Sequence, residues 1–290
     1  MTTVLITGAN GQVGSELQRW PWDDAFTVIA LDSAALDITD QSSVISLFAE
    51  HEPDVVLNAA AYTAVDAAET NEDRATAVNA TGVGFLAEAS NANQALLVHL
   101  STDYVFDGTK DGWYVEDDPT DPASAYGRSK LAGEAAALRA DRSVVLRTSW
   151  VYSATGKNFV KTIRRLGGER SELSIIDDQH GCPTAASAIA TAIATLVSAT
   201  TGGATMPPNR LYHLAAPDHT SWHGFAEAIL RESNLNHVAC NPIPSSEYPV
   251  AAERPKNSKL DSGLLARDLG IVLPSWRQSL HQVVAELDAS

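Results

Sequence analysis

Three glycines, Gly8, Gly11 and Gly14, stand between a short apolar run, Val4-Leu5-Ile6, and a stretch of helical periodicity from Gln12 to Trp20. A strand that turns directly into a helix and lacks side chains at these points forms a close backbone turn. Its free N–H groups and the helix dipole then face one spot, a natural seat for an anion. Gly8 permits the tight turn, Gly11 lets the backbone approach a pyrophosphate, and Gly14 permits close packing of helix on strand. Thr7-Gly8-Ala9-Asn10-Gly11-Gln12-Val13-Gly14 has the spacing G-x-x-G-x-x-G rather than G-x-G-x-x-G. Three glycines alone describe an ordinary turn equally well. Their place after the first strand favours phosphate binding, with Asn10, Gln12 and Val13 in the same loop.

The rest of the first half alternates strand-like and helix-like segments, the pattern of a doubly wound parallel sheet. Phe26 to Leu31 reads as the second strand, Ser42 to Glu50 as a helix, and Asp54 to Leu57 as a third buried run. A long helix is expected from Asn71 to about Asn93, a fourth strand at Leu96 to Leu100, a helix from Ala123 to Ala140 and a strand at Val144 to Leu146. The fold class is α/β: a Rossmann dinucleotide-binding domain over 1–150, then a smaller, mainly substrate-binding domain over 151–290. Beyond Trp150, Gly, Pro, Asn and His rise and the elements shorten, so the boundary is soft and elements of the second part can return to the first.

Phe26 to Leu31 ends in Asp32, 18 residues after Gly14, where an acid accepts hydrogen bonds from an adenosine ribose. A solvated strand-end carboxylate is the plainer alternative. No Lys or Arg lies between Asp32 and Asp40 to neutralise a 2′-phosphate, so the local chemistry leans towards NADH over NADPH. Asp37 and Ile38 are placed to flank an adenine, and Ala59, Ala60 and Ala61 supply small residues where a cofactor needs them.

Tyr126 and Lys130 are four residues apart, on one helical face. A free Tyr, with a pKa of about 10, exchanges protons poorly near neutrality. A cation one turn away lowers that pKa and also holds the nicotinamide ribose. An ordinary surface pair competes with this reading until the glycine turn and Ser101-Thr102 are added, Thr102 offering a hydroxyl to a substrate carbonyl oxygen. Together they form a hydride-transfer site in which the cofactor carries the hydride and the protein handles the proton.

With 44% hydrophobic and 19% charged residues the 290-residue chain is ordinarily globular, and its net charge of -16 argues against a nucleic-acid partner. The longest apolar candidate, Ala185 to Ala199, is interrupted and shorter than the roughly 20 residues of a membrane span. No basic segment precedes the first strand, and a cytoplasmic protein is expected. Cys182 and Cys240 fit two free thiols, with a single bridge the other arrangement. His180, His213, His219 and His223 form no metal-like constellation and read as structural or solvated.

Several strings resemble the extended short-chain dehydrogenase/reductases and, within them, the dTDP-4-dehydrorhamnose reductase family. They are Gly11 to Leu17, Asn58 to Asp66, Ser101 to Gly108, Tyr126 to Glu134, Arg147 to Tyr152, Asp178 to Thr184 and Arg254 to Leu260. The Tyr/Lys pair is shared across the superfamily; Ser-Thr-Asp-Tyr-Val-Phe and Arg-Pro-x-x-Ser-x-Leu are more particular. The resemblance implies reduction of the C4 ketone of dTDP-4-dehydro-L-rhamnose to dTDP-L-rhamnose. Thr102, Tyr126 and Lys130 are then catalytic, and Val65, Asp103, Tyr104, Trp150 and Arg254 contact the nucleotide sugar. Without the resemblance Trp150 and Tyr104 serve equally as packing aromatics. Another nucleotide-sugar reductase or epimerase, or a non-catalytic NADP-binding regulatory subunit, are the competing readings. Some relatives dimerise through Mg²⁺ held by a Glu near the first helix and acids on a later one. Glu16 matches the first, but 184–192 carries no carboxylate. A monomer without a required metal is expected.

Overall fold

The computed structural model describes residues 1–202 and 209–289. Strands β1 (Thr2–Thr7), β2 (Phe26–Leu31), β3 (Val55–Asn58), β4 (Leu96–Thr102) and β5 (Ser143–Thr148) pair in parallel, and a sixth strand, Arg210–His213, joins beside β5. The order is sixth strand, β5, β4, β3, β1, β2. The chain therefore reverses direction across the sheet between β1 and β3, where doubly wound sheets bind ligands beyond the strand C-termini.

Alternate residues of each strand face opposite layers. Val4, Ile6, Leu57 and Val98 pack with Ile189, Ile193 and Leu196 of the helix Ala186–Thr201. Leu5, Val56, Leu97 and Val145 pack with Val44 and Phe48 of the helix Gln41–His51 and with Val83 and Leu86 of the helix Gly82–Asn93. Helices on both faces explain why these strands read as unbroken apolar runs. Past Trp150 the helices Phe159–Glu169, Trp222–Glu232 and Trp276–Asp288 enclose a separate cluster around Tyr152, Phe225 and Trp276. The sixth strand and the helix Ala186–Thr201 belong instead to the large sheet and its cover.

Two expected helices change. The stretch from Asn71 to Asn93 is a helix Glu72–Thr76, a π-helical turn Ala77–Thr81 and a helix Gly82–Asn93. Inside the wide turn Asn79 is fully buried, accepting from the Tyr62 N–H at 2.8 Å and donating to the Tyr62 carbonyl at 3.1 Å. Hydrophobic periodicity does not reveal one inserted residue. The stretch from Ala123 to Ala140 shortens to Ala125–Ala137, because Ser124 caps it by accepting from the Gly127 N–H at 3.1 Å. Both cysteines are free, and no helix among the described residues is long and apolar enough to cross a membrane.

A Cβ at Gly133, in the helix Ala125–Ala137, would stand 2.0 Å from the Asn79 carbonyl oxygen, whereas one at Gly168 would meet no atom within 4 Å. Gly133→Ala should therefore destabilise the fold by about 1–3 kcal/mol, the usual scale of overpacking. Gly168→Ala should be neutral or stabilise by up to about 1 kcal/mol. Urea denaturation of both variants reads the contrast.

Candidate active site

Gly8 takes φ +68°, and a Cβ there would lie 2.6 Å from the Ala60 nitrogen and 2.7 Å from the Ala59 carbonyl. The turn after β1 thus lies flush against the Ala59-Ala60-Ala61 segment after β3. The Gly11 N–H donates to the Gly8 carbonyl at 2.9 Å, and Gly11 caps the helix Gln12–Arg19 with no side chain of its own. No side-chain acceptor occupies the helix start, which leaves its first N–H groups for an anion. A Cβ at Gly14 would be 2.2 Å from the Gly8 oxygen, so this helix reaches the turn only because residue 14 is glycine. Val13 is buried in the sheet core, and only its backbone is left for a ligand.

Asn10 Nδ2 donates to Asp32 Oδ2 at 2.6 Å, while Asp32 Oδ1 accepts from the Ala34 and Ala35 N–H groups at 3.0 Å. The carboxylate expected to await a ribose is thus fixed by its own loop. Exposed Asp37 accepts from the Thr39 N–H at 2.9 Å and its hydroxyl at 2.7 Å. Ile38 is buried against Gly82. Gln12 joins the turn to the chain beyond Trp150: its Nε2 donates to the Val151 carbonyl at 3.4 Å, and Asn158 Nδ2 donates to its Oε1 at 3.0 Å.

Thr102 ends β4. Its hydroxyl donates to Asp103 Oδ1 at 2.9 Å, accepts from the Tyr104 N–H at 3.3 Å and is hydrogen-bonded with the Tyr126 phenol. Lys130, 2% exposed, donates from Nζ to the Leu100 carbonyl of β4 at 2.5 Å. The expected lowering of the Tyr126 pKa does not follow from this arrangement. Burial of the hydroxyl outweighs the bond with Thr102 and pushes the phenol up to about 12, with Asp103 adding to the rise. The ammonium is directed at β4. Burial lowers Lys130 to about 8, against the pull of Glu134. Buried Asp103 rises to about 6 through burial, despite hydrogen bonds with Ser258 and Thr102, and its Oδ2 has no partner.

Tyr104 meets Tyr126 edge-on at 5.6 Å between ring centroids. Arg254 donates from Nη2 to Asp66 Oδ2 at 2.8 Å and is hydrogen-bonded with Tyr104, while its buried Nη1 has no partner. Val65, half-buried, opens the short helix Val65–Ala68 beside Asp66. Trp150 adopts φ +47° and stacks on Trp222 at 3.5 Å with an interplanar angle of 3°. A cavity of about 640 Å³ is lined by charges of both signs, with Lys110, Arg254, Lys256 and Lys259 alongside Asp107, Asp111, Asp178 and Glu253.

Sequence reasoning missed four groups: Asp66, Trp222, Glu286 and the buried pair of Glu134 with Arg147. Arg147 donates from Nε and Nη2 to the two oxygens of Glu134 at 2.8 and 2.7 Å, and Ser101 donates to Glu134 Oε1 at 2.5 Å. An arginine directly after the apolar run Val144-Val145-Leu146, in the same strand, was the available signal, because such a charge is buried only with a partner. Glu286 supplies the second carboxylate near Glu16 that 184–192 lacks, with Arg19 Nη1 3.8 Å from Glu16 and 3.1 Å from Glu286. No group of three or more metal-ligating side chains occurs among the described residues. His213 is buried and His180 exposed, His219 meets Trp113 edge-on, and His223 Nε2 lies 3.1 Å from the Cys240 carbonyl.

The family model described as RmlD substrate binding domain matches residues 1–289. A dTDP-4-dehydrorhamnose reductase from Burkholderia thailandensis is 44% identical, with 98% of each chain covered. The crystal structure of a dTDP-4-dehydrorhamnose reductase from Clostridium acetobutylicum superposes with a TM-score of 0.93 at 36% identity, covering 99% of this chain and all of that one. The Bacillus anthracis dTDP-4-dehydrorhamnose reductase in complex with NADP gives 0.91, also at 36% identity, over 99% of this chain and 100% of the other. A match over the whole fold at these identities has one consequence: the chain belongs to the dTDP-4-dehydrorhamnose reductase family of the extended short-chain dehydrogenase/reductases.

Proposed function

We propose that this chain reduces the C4 ketone of dTDP-4-dehydro-L-rhamnose to dTDP-L-rhamnose, using NADH or NADPH. One observation carries the reading. Thr102 and Lys130 are both fixed to the end of β4, with Tyr126 hydrogen-bonded to Thr102, at the same edge of the parallel sheet as the glycine turn that follows β1. The positive φ of Gly8 and the tight backbone turn that the glycines allow fit a dinucleotide-binding turn. Gly8, Gly11, Gly14 and the backbone of Asn10, Gln12 and Val13 would hold its pyrophosphate. Asp32 would hold the adenosine ribose, Asp37 and Ile38 would flank the adenine, Ala59 to Ala61 would leave room beside the turn, and Lys130 would hold the nicotinamide ribose. When bound, the nicotinamide supplies the hydride.

The chain's own part is the proton. A phenol at about 12 keeps its proton at neutral pH and gives it up to the stronger base that forms at O4 as the ketone is reduced. Thr102 orients that oxygen and favours the phenolate that remains, while Lys130, still mostly charged at neutral pH and directed at β4, would serve the cofactor's ribose. Val65, Asp103, Tyr104 and Trp150 would line the sugar. Arg254 is paired on one side with Asp66, and its unpartnered Nη1 is a donor for the diphosphate. The segment 151–290 is proposed mainly to bind substrate, with 1–150 binding the cofactor.

Tyr126→Phe should keep the fold and cofactor affinity and lower turnover by at least about 100-fold, the scale of lost general acid catalysis. Lys130→Met should weaken both. Steady-state reduction of enzymatically generated dTDP-4-keto sugars, with NADPH fluorescence titration, reads these effects. Near-normal turnover by Tyr126→Phe would remove that residue from the mechanism.

Asp32 and the lack of a cation from 33 to 40 favour NADH at least as much as NADPH. Asp32→Ala should erode that preference, measured as the ratio of kcat/KM values. A strong wild-type preference for NADPH would count against Asp32 as the ribose ligand.

The chain is further proposed to act as a monomer without added metal. Arg19 already sits against both Glu16 and Glu286, and Mg²⁺ would have to displace it. Light scattering and rate should be unchanged by EDTA. Dissociation and inactivation by EDTA, reversed by Mg²⁺, would contradict this.

A further inference from the structure

The helix Ala125–Ala137 carries Tyr126, Lys130 and Glu134 at successive steps of four. The first two belong to the proposed chemistry; the third has no part in it. Yet Glu134 is 3% exposed and receives three hydrogen bonds, two from Arg147 of β5 and one from Ser101 of β4, the residue before Thr102. Ser101 and Arg147 are also register partners in the β4–β5 ladder. One carboxylate thus ties the tyrosine helix to the ends of both strands.

We propose that Glu134 is a positioning residue that seats Lys130 against β4 and keeps it charged, so that the Glu134–Arg147 pair sets the alkaline limit of the reduction. The inference rests on the role given above to Lys130. The groups around that ammonium support it. Glu134 is the anion acting on Lys130, and it opposes the burial that drives the ammonium towards its neutral form. From β4, His99 faces Lys130, but burial, with Lys130 adding to it, holds the imidazole neutral. Tyr126 keeps its proton, and the field of Asp103 falls on Tyr126 and Tyr104. From β5, Arg147 spends its charge on Glu134. Removing Glu134 leaves Lys130 without the one carboxylate that acts on it. Removing Arg147 takes away the cation that Glu134 is paired with and leaves its charge to Lys130.

The test is the pH profile of kcat/KM across the neutral and alkaline range, with the pH dependence of NADPH binding followed by fluorescence and the fold followed by thermal melting. Lys130 loses its proton as pH rises, so a lower pKa brings the alkaline fall earlier. Glu134→Gln should move that fall down by at least about one pH unit, a roughly tenfold loss on the falling limb, with activity recovered at lower pH. Arg147→Gln should move it up, and Glu134→Asp should return it towards the wild-type position. If folded Glu134→Gln loses activity by one factor at every pH, the role is only structural and the proposal fails. Should Glu134→Gln not fold, an Arg147→Gln profile that does not shift upward overturns it equally. A wild-type protein that reduces no keto sugar would instead refute the substrate reading, and the NADPH-binding profiles would still decide the question of Glu134.

Discussion

At Gly127 and Gly133 the helix Ala125–Ala137 runs so close to the Tyr104 and Asn79 carbonyl oxygens that a Cβ would stand 2.2 and 2.0 Å from them. Only a helix without side chains at those points can lie there. The contact fixes the height and rotation of the helix, and hence where Tyr126 and Lys130 point. The opposing carbonyl comes from the π-helical turn, whose Asn79 side chain also holds the backbone of Tyr62 and donates to Ser129 at 2.9 Å. Backbone packing, rather than the reach of flexible side chains, thus positions the groups given catalytic roles, and a shift of a few tenths of an ångström would propagate to both.

Charge is the second constraint, and it acts against stability before it acts for anything else. Lys130, Glu134 and Arg147 are all nearly inaccessible. Removing such ions from water costs several kcal/mol each, and a buried pair is often no more stable than apolar residues of the same volume. Stability alone therefore does not account for an ion pair at this place. Its geometry does suggest a use: two parallel bonds from a rigid guanidinium and one short bond from Ser101 leave the carboxylate little freedom. A fixed negative charge one helical turn beyond a buried ammonium limits how far burial can depress that ammonium.

The architecture was legible because its causes are local and repetitive. Buried parallel strands are apolar on both faces, and a strand-to-helix turn closes only over glycine at Gly8 and Gly14, so both leave marks in composition. The Tyr126/Lys130 step was legible for the same reason, as a spacing on one helix. What stayed hidden is long-range. The π-helical turn adds one residue without changing polarity. Asp66 lies 188 positions from Arg254, and Trp150 finds Trp222 from another element, so no window of sequence contains either pair. Glu286 comes beside Glu16 only because the last helix returns to the first. The ordinary expectation for a tyrosine beside a lysine was reversed for a comparable reason, since the direction of the Lys130 side chain is set by the carbonyl of Leu100 on β4.

An acidic chain that is proposed to bind two anionic ligands raises the question of how attraction is kept local. At physiological ionic strength fields are screened within about 8 Å, so the net charge of -16 is felt mainly by ligands still at a distance. Inside the cleft other sources govern. The start of the helix Gln12–Arg19 offers N–H groups without side-chain acceptors, and Arg254 keeps one buried guanidinium nitrogen without a partner. Arg254 illustrates the arrangement: Asp66 holds one edge of its guanidinium in place, and the buried Nη1, without a partner, is the donor proposed for the diphosphate. A guanidinium fixed in this way loses little side-chain freedom on binding, and its attraction is exerted where screening by solvent is weakest.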